Sequence, residues 1–221
     1  MTIEELIIFY TNNPIDVSFL GGEWNPKTQA YLTAGDNEFK IDNYNQAILY
    51  YTKAIELSPA NYYPLSKRGK CYQMLQSYDE ALSDLFKSKG IDDNFENNQS
   101  IAECYLFKKN YEEAIHYFDV ALNFLNEREE NDPDKILGVN YQATRSRTLN
   151  NQAVCYYNLQ QLESAVECTT QGILANPQYS NNYKIRGLVF LTLGKRTEAI
   201  NDLQNAARLG DTVANDILRQ I

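Results

Sequence analysis

His116 is the one histidine of this 221-residue chain, and with Cys71, Cys104, Cys155 and Cys168 it could supply a nucleophile, a general base or a soft metal ligand. Nucleophilic catalysis needs a base beside the thiol or hydroxyl, and a zinc site needs several ligands at close spacing. Neither pattern is present: His116 has no cysteine or serine placed for that work, and Cys168 lacks a CxxC partner. Cys71, Cys104 and Cys155 each fall ten residues before an alanine (Ala81, Ala114, Ala165), one slot filled three times, which reads as small packing thiols. Gly69-Lys70 and Gly194-Lys195 lack the earlier glycine of a phosphate-binding loop. The carboxylates are scattered over helix faces and define no acid/base pair. The expectation is a chain with no catalytic residue, no metal and no cofactor, whose chemistry is that of binding.

Charge narrows what it binds. Twenty basic and 29 acidic residues give a net charge of −9, which repels a phosphate backbone and disfavours nucleic acid. Glu4 and Glu5 stand where a signal peptide carries basic residues, the apolar run Leu6 to Tyr10 is short, and no stretch approaches a membrane span. A cytoplasmic location and no membrane contact are expected.

The elements that must position any binding residue are announced by a repeat. Ala47, Ala81, Ala114, Ala165 and Ala199 follow one another at spacings of 34, 33, 51 and 34. Twelve residues before each stands a small residue (Gly35, Gly69, Ala102, Ala153, Gly187), and seven after each another (Ala54, Ser88, Ala121, Gly172, Ala206). Apolar residues recur at helical spacing in two runs per copy, with polar turns at Asp42-Asn43, Gln76-Ser77, Lys109-Asn110, Gln160-Gln161 and Gly194-Lys195. Each copy is therefore a helical hairpin, and a period of this length marks a stack of such hairpins.

Gly35, Tyr44, Ala47, Tyr51, Ala54 and Pro59 in the first copy, and Ala153, Tyr156, Ala165 and Pro177 in the fourth, resemble the tetratricopeptide repeat. The resemblance implies an all-α, right-handed α-solenoid of five hairpins at residues 28–61, 62–94, 95–128, 146–179 and 180–213, without enzymatic activity. It also implies that the first helix of each pair lines a concave groove. Carried onto this chain, the groove holds Phe39, Lys40, Tyr63, Lys67, Lys70, Phe107, Arg147, Asn150, Asn151, Tyr157 and Lys184, with Asp36, Glu96 and Glu103 as its acidic members. A slightly basic groove in an acidic protein suits an acidic peptide or helix of another protein, though an unoccupied groove is polar in any case. The two-carboxylate clamp of one subclass of the family is incomplete: Asn151 matches, but Gln99, Glu103, Asn181 and Ile185 replace its lysines, arginine and first asparagine.

Residues 1–27 form an N-terminal helix and arm. Thr2-Ile3-Glu4-Glu5 is a capping box, Asn12-Asn13-Pro14 a stop, and the arm is either a cap on the first repeat or a segment that acts in cis or contacts a second copy. Residues 212–221 make a capping helix with Val213, Ile217, Leu218 and Ile221 on one apolar face. The 51-residue spacing contains an insertion, residues 129–145, entered through an acidic run that starts at Glu127 and includes Glu129, Glu130, Asp132 and Asp134. Asp132-Pro133 suits the start of a helix. The run is either a solvated joint between lengthened helices or a second, acidic site. In the latter case Lys135-Ile136-Leu137-Gly138 resembles the insertion of a signalling effector that binds a small GTPase. The leading expectation is an adaptor or scaffold that binds a partner protein in the groove; a signalling effector or co-chaperone-like regulator is the alternative.

Overall fold

The computed structural model describes residues 1–14, 25–131 and 141–221, and every regular element among them is an α-helix. In chain order these are α1 (Ile3–Asn12), α2 (Pro26–Lys40), α3 (Tyr44–Leu57), α4 (Tyr62–Met74), α5 (Tyr78–Ile91), α6 (Phe95–Phe107), α7 (Tyr111–Asn131), α8 (Tyr141–Asn158), α9 (Leu162–Ala175), α10 (Ser180–Thr192), α11 (Arg196–Arg208) and α12 (Thr212–Leu218). They fall into two compact units, Met1–Cys104 and Tyr105–Ile221.

The turn inside each hairpin follows one backbone rule. Asp42, Gln76, Lys109, Gln160 and Gly194 all take positive φ, between 59° and 72°. The residue after each donates its N–H to a carbonyl five residues back: Asn43 to Glu38, Ser77 to Tyr72, Asn110 to Tyr105, Gln161 to Tyr156 and Lys195 to Phe190. This left-handed C-terminal motif satisfies carbonyls that the helix end leaves open. The same residues then accept the N–H of Ala47, Ala81, Ala114, Ala165 and Ala199, so each repeated alanine closes the first turn of a second helix. Only Gly194 holds the left-handed conformation without side-chain cost; the other four are strained by their Cβ.

Packing within a hairpin depends on the small residue facing it. A Cβ added to Gly35 would lie 2.7 Å from the ring of Tyr51, one on Gly69 2.8 Å from Leu85, and one on Gly187 3.0 Å from Leu203. Tyr51, Leu85 and Leu203 are fully buried, and so are the repeated alanines beside them. In the first unit Leu32, Ala47, Tyr51, Ala54 and Cys71 form the core between α2, α3 and α4. In the second, Leu203 and Ala206 of α11 meet Ala214 of α12.

Both ends are closed. The Thr2 hydroxyl accepts the Glu5 N–H while the Glu5 carboxylate accepts the Thr2 N–H, and α1 buries Leu6 against Ala30 and Ala34 of α2. Tyr10 hydrogen-bonds Thr33 at 2.9 Å. The described part of the N-terminal segment is thus a cap on the first hairpin. The chain from 15 to 24, and with it the arm, lies outside the described residues. Asn25-Pro26, read from sequence as arm, starts α2: the Asn25 side chain accepts the N–H of Lys27 and Thr28, and Pro26 opens the first turn. At the other end Gly210 (φ 94°) ends α11 and Asp211 caps α12. Val213 does not join the apolar face; it is 53% exposed, and Ala214 takes the buried place because a hydrophobic register over so short a helix is fixed by the packing partner.

Gln76 is exposed, so Gln76→Gly removes strain without losing a contact and is expected to raise stability by about 1 kcal/mol. Gly35→Ala drives a methyl into the buried Tyr51 ring and is expected to cost about 1–3 kcal/mol. Urea unfolding midpoints of the two variants check both signs.

Candidate functional site

In the first unit, α2 and α4 bring Asp36, Phe39, Tyr63 and Lys67 together. Asp36 accepts the Tyr51 hydroxyl at 2.6 Å through one carboxylate oxygen and the Tyr63 hydroxyl at 3.0 Å through the other. Burial and the Asp36 charge push both phenols well above their usual range, so they stay protonated donors. The Lys67 ammonium lies 5.1 Å from the centre of the Tyr63 ring and 5.8 Å from that of Phe39. It has no carboxylate within ion-pair distance among the described residues. Two ring faces hold it in place while its N–H donors remain open. Lys40 is exposed and Lys70 half-buried on the same two helices. Cys71 beneath them is fully buried, and burial pushes its thiol up to about 12 against the pull of Lys67, which makes it inert.

The second unit places the remaining expected residues on α6, α8 and α10. Phe107 is 58% exposed at the end of α6. On α8 Arg147 is exposed, Asn151 is half-buried, and Asn150 is only 5% exposed with its amide nitrogen unpartnered. The Tyr157 hydroxyl meets that of Thr192 at 3.3 Å. Lys184 is engaged within the chain: its ammonium lies 2.8 Å from an Asp211 oxygen and donates to the Asn181 side-chain oxygen at 2.8 Å.

The acidic run is divided. Glu127, Glu129 and Glu130 lie on the last turns of α7, which extends to Asn131, while Asp132, Asp134 and residues 135–138 lie outside the described residues, as does the helix start expected at Asp132-Pro133. Arg145 of α8 binds Glu129 at 2.7 Å and also donates to Asn126. Glu129 is thus a clip between two lengthened helices; Glu127 and Glu130 are exposed.

The tetratricopeptide-repeat family model matches residues 28–61, 95–123 and 146–179. The intervening pairs α4–α5 and α10–α11 repeat the same turn and the same glycine contact. The chain is a tetratricopeptide-repeat protein. It is 23% identical over 215 residues to the Hsp70-Hsp90 organizing protein of Triticum aestivum, covering 85% of this chain and 36% of that one. It is 31% identical over 97 residues to DnaJ homolog subfamily C member 7 of Homo sapiens, covering 43% of this chain and 20% of that one. The chain spans about a third or less of the length of these curated relatives. Among solved structures, MamA from Desulfovibrio magneticus RS-1 superposes with a TM-score of 0.71 at 15% identity, covering 86% of this chain and all of that one. YrrB, described as a TPR protein with an unusual peptide-binding site, gives 0.69 at 15% identity and covers both chains fully. These likenesses bear on the fold.

The sequence reading missed a polar bridge between consecutive tetratricopeptide hairpins. Arg68 makes a two-pronged pair with Asp84 (2.6 and 2.9 Å) and donates to Thr52 of the preceding hairpin at 2.9 Å. Arg186 does the same with Asp202 (2.7 and 2.9 Å) and Thr170 (3.0 Å). Gln152 fills that slot in the fourth copy, donating to Asp119 at 2.6 Å and accepting from the Cys168 thiol at 3.5 Å. The signal was available as residues 16 apart flanking each turn, Arg68 with Asp84 and Arg186 with Asp202, with Thr52 and Thr170 a further 16 upstream.

Asp84 is almost fully buried, so Asp84→Ala leaves the Arg68 guanidinium uncompensated and is expected to cost about 3 kcal/mol or more. The double replacement Arg68→Met with Asp84→Leu should recover most of that loss in the same denaturation assay. Asp211 gives a pH test. Its burial alone would raise its pKa, but the Lys184 ammonium and the Ala214 N–H outweigh that and hold the carboxyl below its usual range. A lowered folded pKa contributes stability that is complete above the unfolded value and lost as pH falls through the folded one. Docking of α12 is therefore expected to persist down to about pH 4 and weaken below it, read from methyl resonances of Ile217 and Leu218.

Proposed function

We propose that this chain is a non-catalytic adaptor that binds an acidic peptide or helical segment of another protein along the first helices of its repeats. The observation that carries the reading is Lys67, an ammonium oriented by Phe39 and Tyr63 and with no counter-ion among the described residues, in a chain of net charge −9. A carboxylate arriving there gains a charge-assisted hydrogen bond to a donor that needs no reorganisation, while the acidic remainder of the surface repels wrong register. Asp36 keeps its charge beside the site but makes no ion pair with Lys67; its two oxygens accept the Tyr51 and Tyr63 hydroxyls instead, so the ammonium's N–H donors are left for a ligand. Phe39 and Tyr63 add the aromatic surface that protein interfaces favour.

The relatives fit an adaptor. One is named as an organizing protein for Hsp70 and Hsp90, and one fold neighbour is described as peptide-binding. The manner of binding differs from the two-carboxylate clamp. Where that clamp would begin, Gln99 donates to Glu103 at 2.7 Å and Gln73 donates to the same carboxylate at 3.0 Å, so a negative group stands where a terminal carboxylate would have to sit. The effector reading, with a basic partner on the acidic run, is supported less well, because Glu129 is neutralised by Arg145.

The test is fluorescence anisotropy with a labelled Glu-rich peptide and its Gln-substituted counterpart. The Glu peptide is expected to bind and the Gln peptide to bind at least about tenfold more weakly, with Lys67→Glu losing the difference. Glu127→Lys with Glu130→Lys should leave binding unchanged. Equal binding of both peptides, or a Lys67→Glu variant that keeps its preference, would sink the proposal.

A further inference from the structure

Lys67 and Lys184 were both expected to face a ligand, but the chain treats them differently. Lys67 is held by rings and has no carboxylate partner among the described residues. Lys184 of α10 already has one: its side chain is 20% exposed, that of Asp211 is 7% exposed, and their charged atoms lie 2.8 Å apart. Asp211, within the 180–213 bounds expected for the fifth hairpin, lies beyond the end of α11 and starts the terminal helix. Its other oxygen accepts the Ala214 N–H at 3.0 Å and so starts α12, a seven-residue helix. A helix that short is not stable by itself, and α12 is held by Ala214, Ile217, Leu218 and the following Ile221 in a cluster with Leu203, Ala206 and Ala207 of α11 and Tyr183 and Leu191 of α10, together with this ion pair. The carboxylate at Lys184 is therefore supplied by a short terminal element whose order depends on its packing.

We infer that Lys184 is a carboxylate-binding residue whose site is filled in cis by Asp211, so that an acidic segment entering the second unit competes with the C-terminal helix for the same ammonium. The inference rests on the groove reading above and extends it: Lys67 is the open cation and Lys184 the latched one. Asn181 orients the ammonium from the α10 side, with its oxygen 2.8 Å from the lysine nitrogen and its amide donating to the Tyr179 hydroxyl at 3.1 Å. The site is therefore kept in shape whichever carboxylate occupies it. One turn apart on the neighbouring first helix α8, exposed Arg147 and half-buried Asn151 have no side-chain partner among the described residues, and they offer an incoming segment a guanidinium and an amide. Because binding at Lys184 displaces Asp211, linkage requires that ligand affinity and the order of α12 oppose each other.

Asp211→Asn separates the two roles of this residue. Asparagine caps a helix as well as aspartate does, so α12 keeps its start, but the charge that competes for Lys184 is gone. With the Glu-rich peptide as probe, Asp211→Asn is expected to bind about five- to tenfold more tightly than the parent chain. Asp211→Asn with Lys184→Gln is expected to lose that gain. Hydrogen exchange gives a second readout: saturating Glu-rich peptide should raise amide exchange across Val213–Leu218 in the parent chain, and the Gln-substituted peptide should not. Unchanged affinity in Asp211→Asn, a gain that survives Lys184→Gln, or exchange in α12 that ignores the peptide would each overturn the latch. Failure of the groove reading is distinguishable. A Lys67→Glu chain that keeps full preference for the Glu peptide, while Asp211→Asn still tightens binding, removes the first site and leaves the latch standing. Loss of preference in Lys67→Glu with no effect of Asp211→Asn does the reverse.

Discussion

Close approach of the two helices in each hairpin is the constraint on which the rest of this structure depends. Gly35, Gly69 and Gly187 present bare backbone to Tyr51, Leu85 and Leu203, leaving no room for a methyl at the first two and a tight fit at the third. That contact sets the distance between helix axes, since interaxial separation follows the side chains at the crossing. It lets the buried alanines pack from the other side, and it fixes which face of the first helix is left to bind. Gly172 extends the same logic between hairpins. An added Cβ would meet the Asn182 amide at 2.6 Å, and Asn182 is there to donate to the Ser146 hydroxyl at 2.7 Å.

Once helices are this close, buried polar groups must find partners along the stack, and the bridges made by Arg68, Gln152 and Arg186 show how. Each spans its own hairpin and the preceding one, so hairpin formation and stacking are coupled through the same side chain. These pairs consume charge that would otherwise compete for ligand. Arg68, Arg145, Arg186 and Lys184 are all neutralised within the chain. Lys67 differs from these, because its neighbours are ring faces, which hold a cation without cancelling its charge, as Phe190 does for Lys195.

Much of the fold was legible because the repeat states the same physical requirement five times. A single glycine has many explanations, but a small residue always twelve before an alanine has few. The hairpin turns were legible as polar pairs, though their left-handed backbone was not, since Asp42, Gln76, Lys109 and Gln160 are not residues that announce positive φ. The candidate site was legible only as an inventory. Position within a repeat says which side chains share a face, and it cannot say which of them will be claimed by a partner elsewhere. Lys67 and Lys184 looked equivalent in that inventory, and Val213 looked like a core residue.

The sequence by itself determined the helix period, the close-packing positions, the capping box at Thr2 and the burial of three cysteines, because each follows from local spacing and residue size. Only the tertiary structure decided that Asp36 serves two tyrosines, that Glu129 clips α7 to α8, and that Asp211 reaches Lys184. Those pairings join residues 15 to 27 positions apart, across turns whose geometry sets the distance, and a charge's availability depends on that distance, not on its place in the repeat.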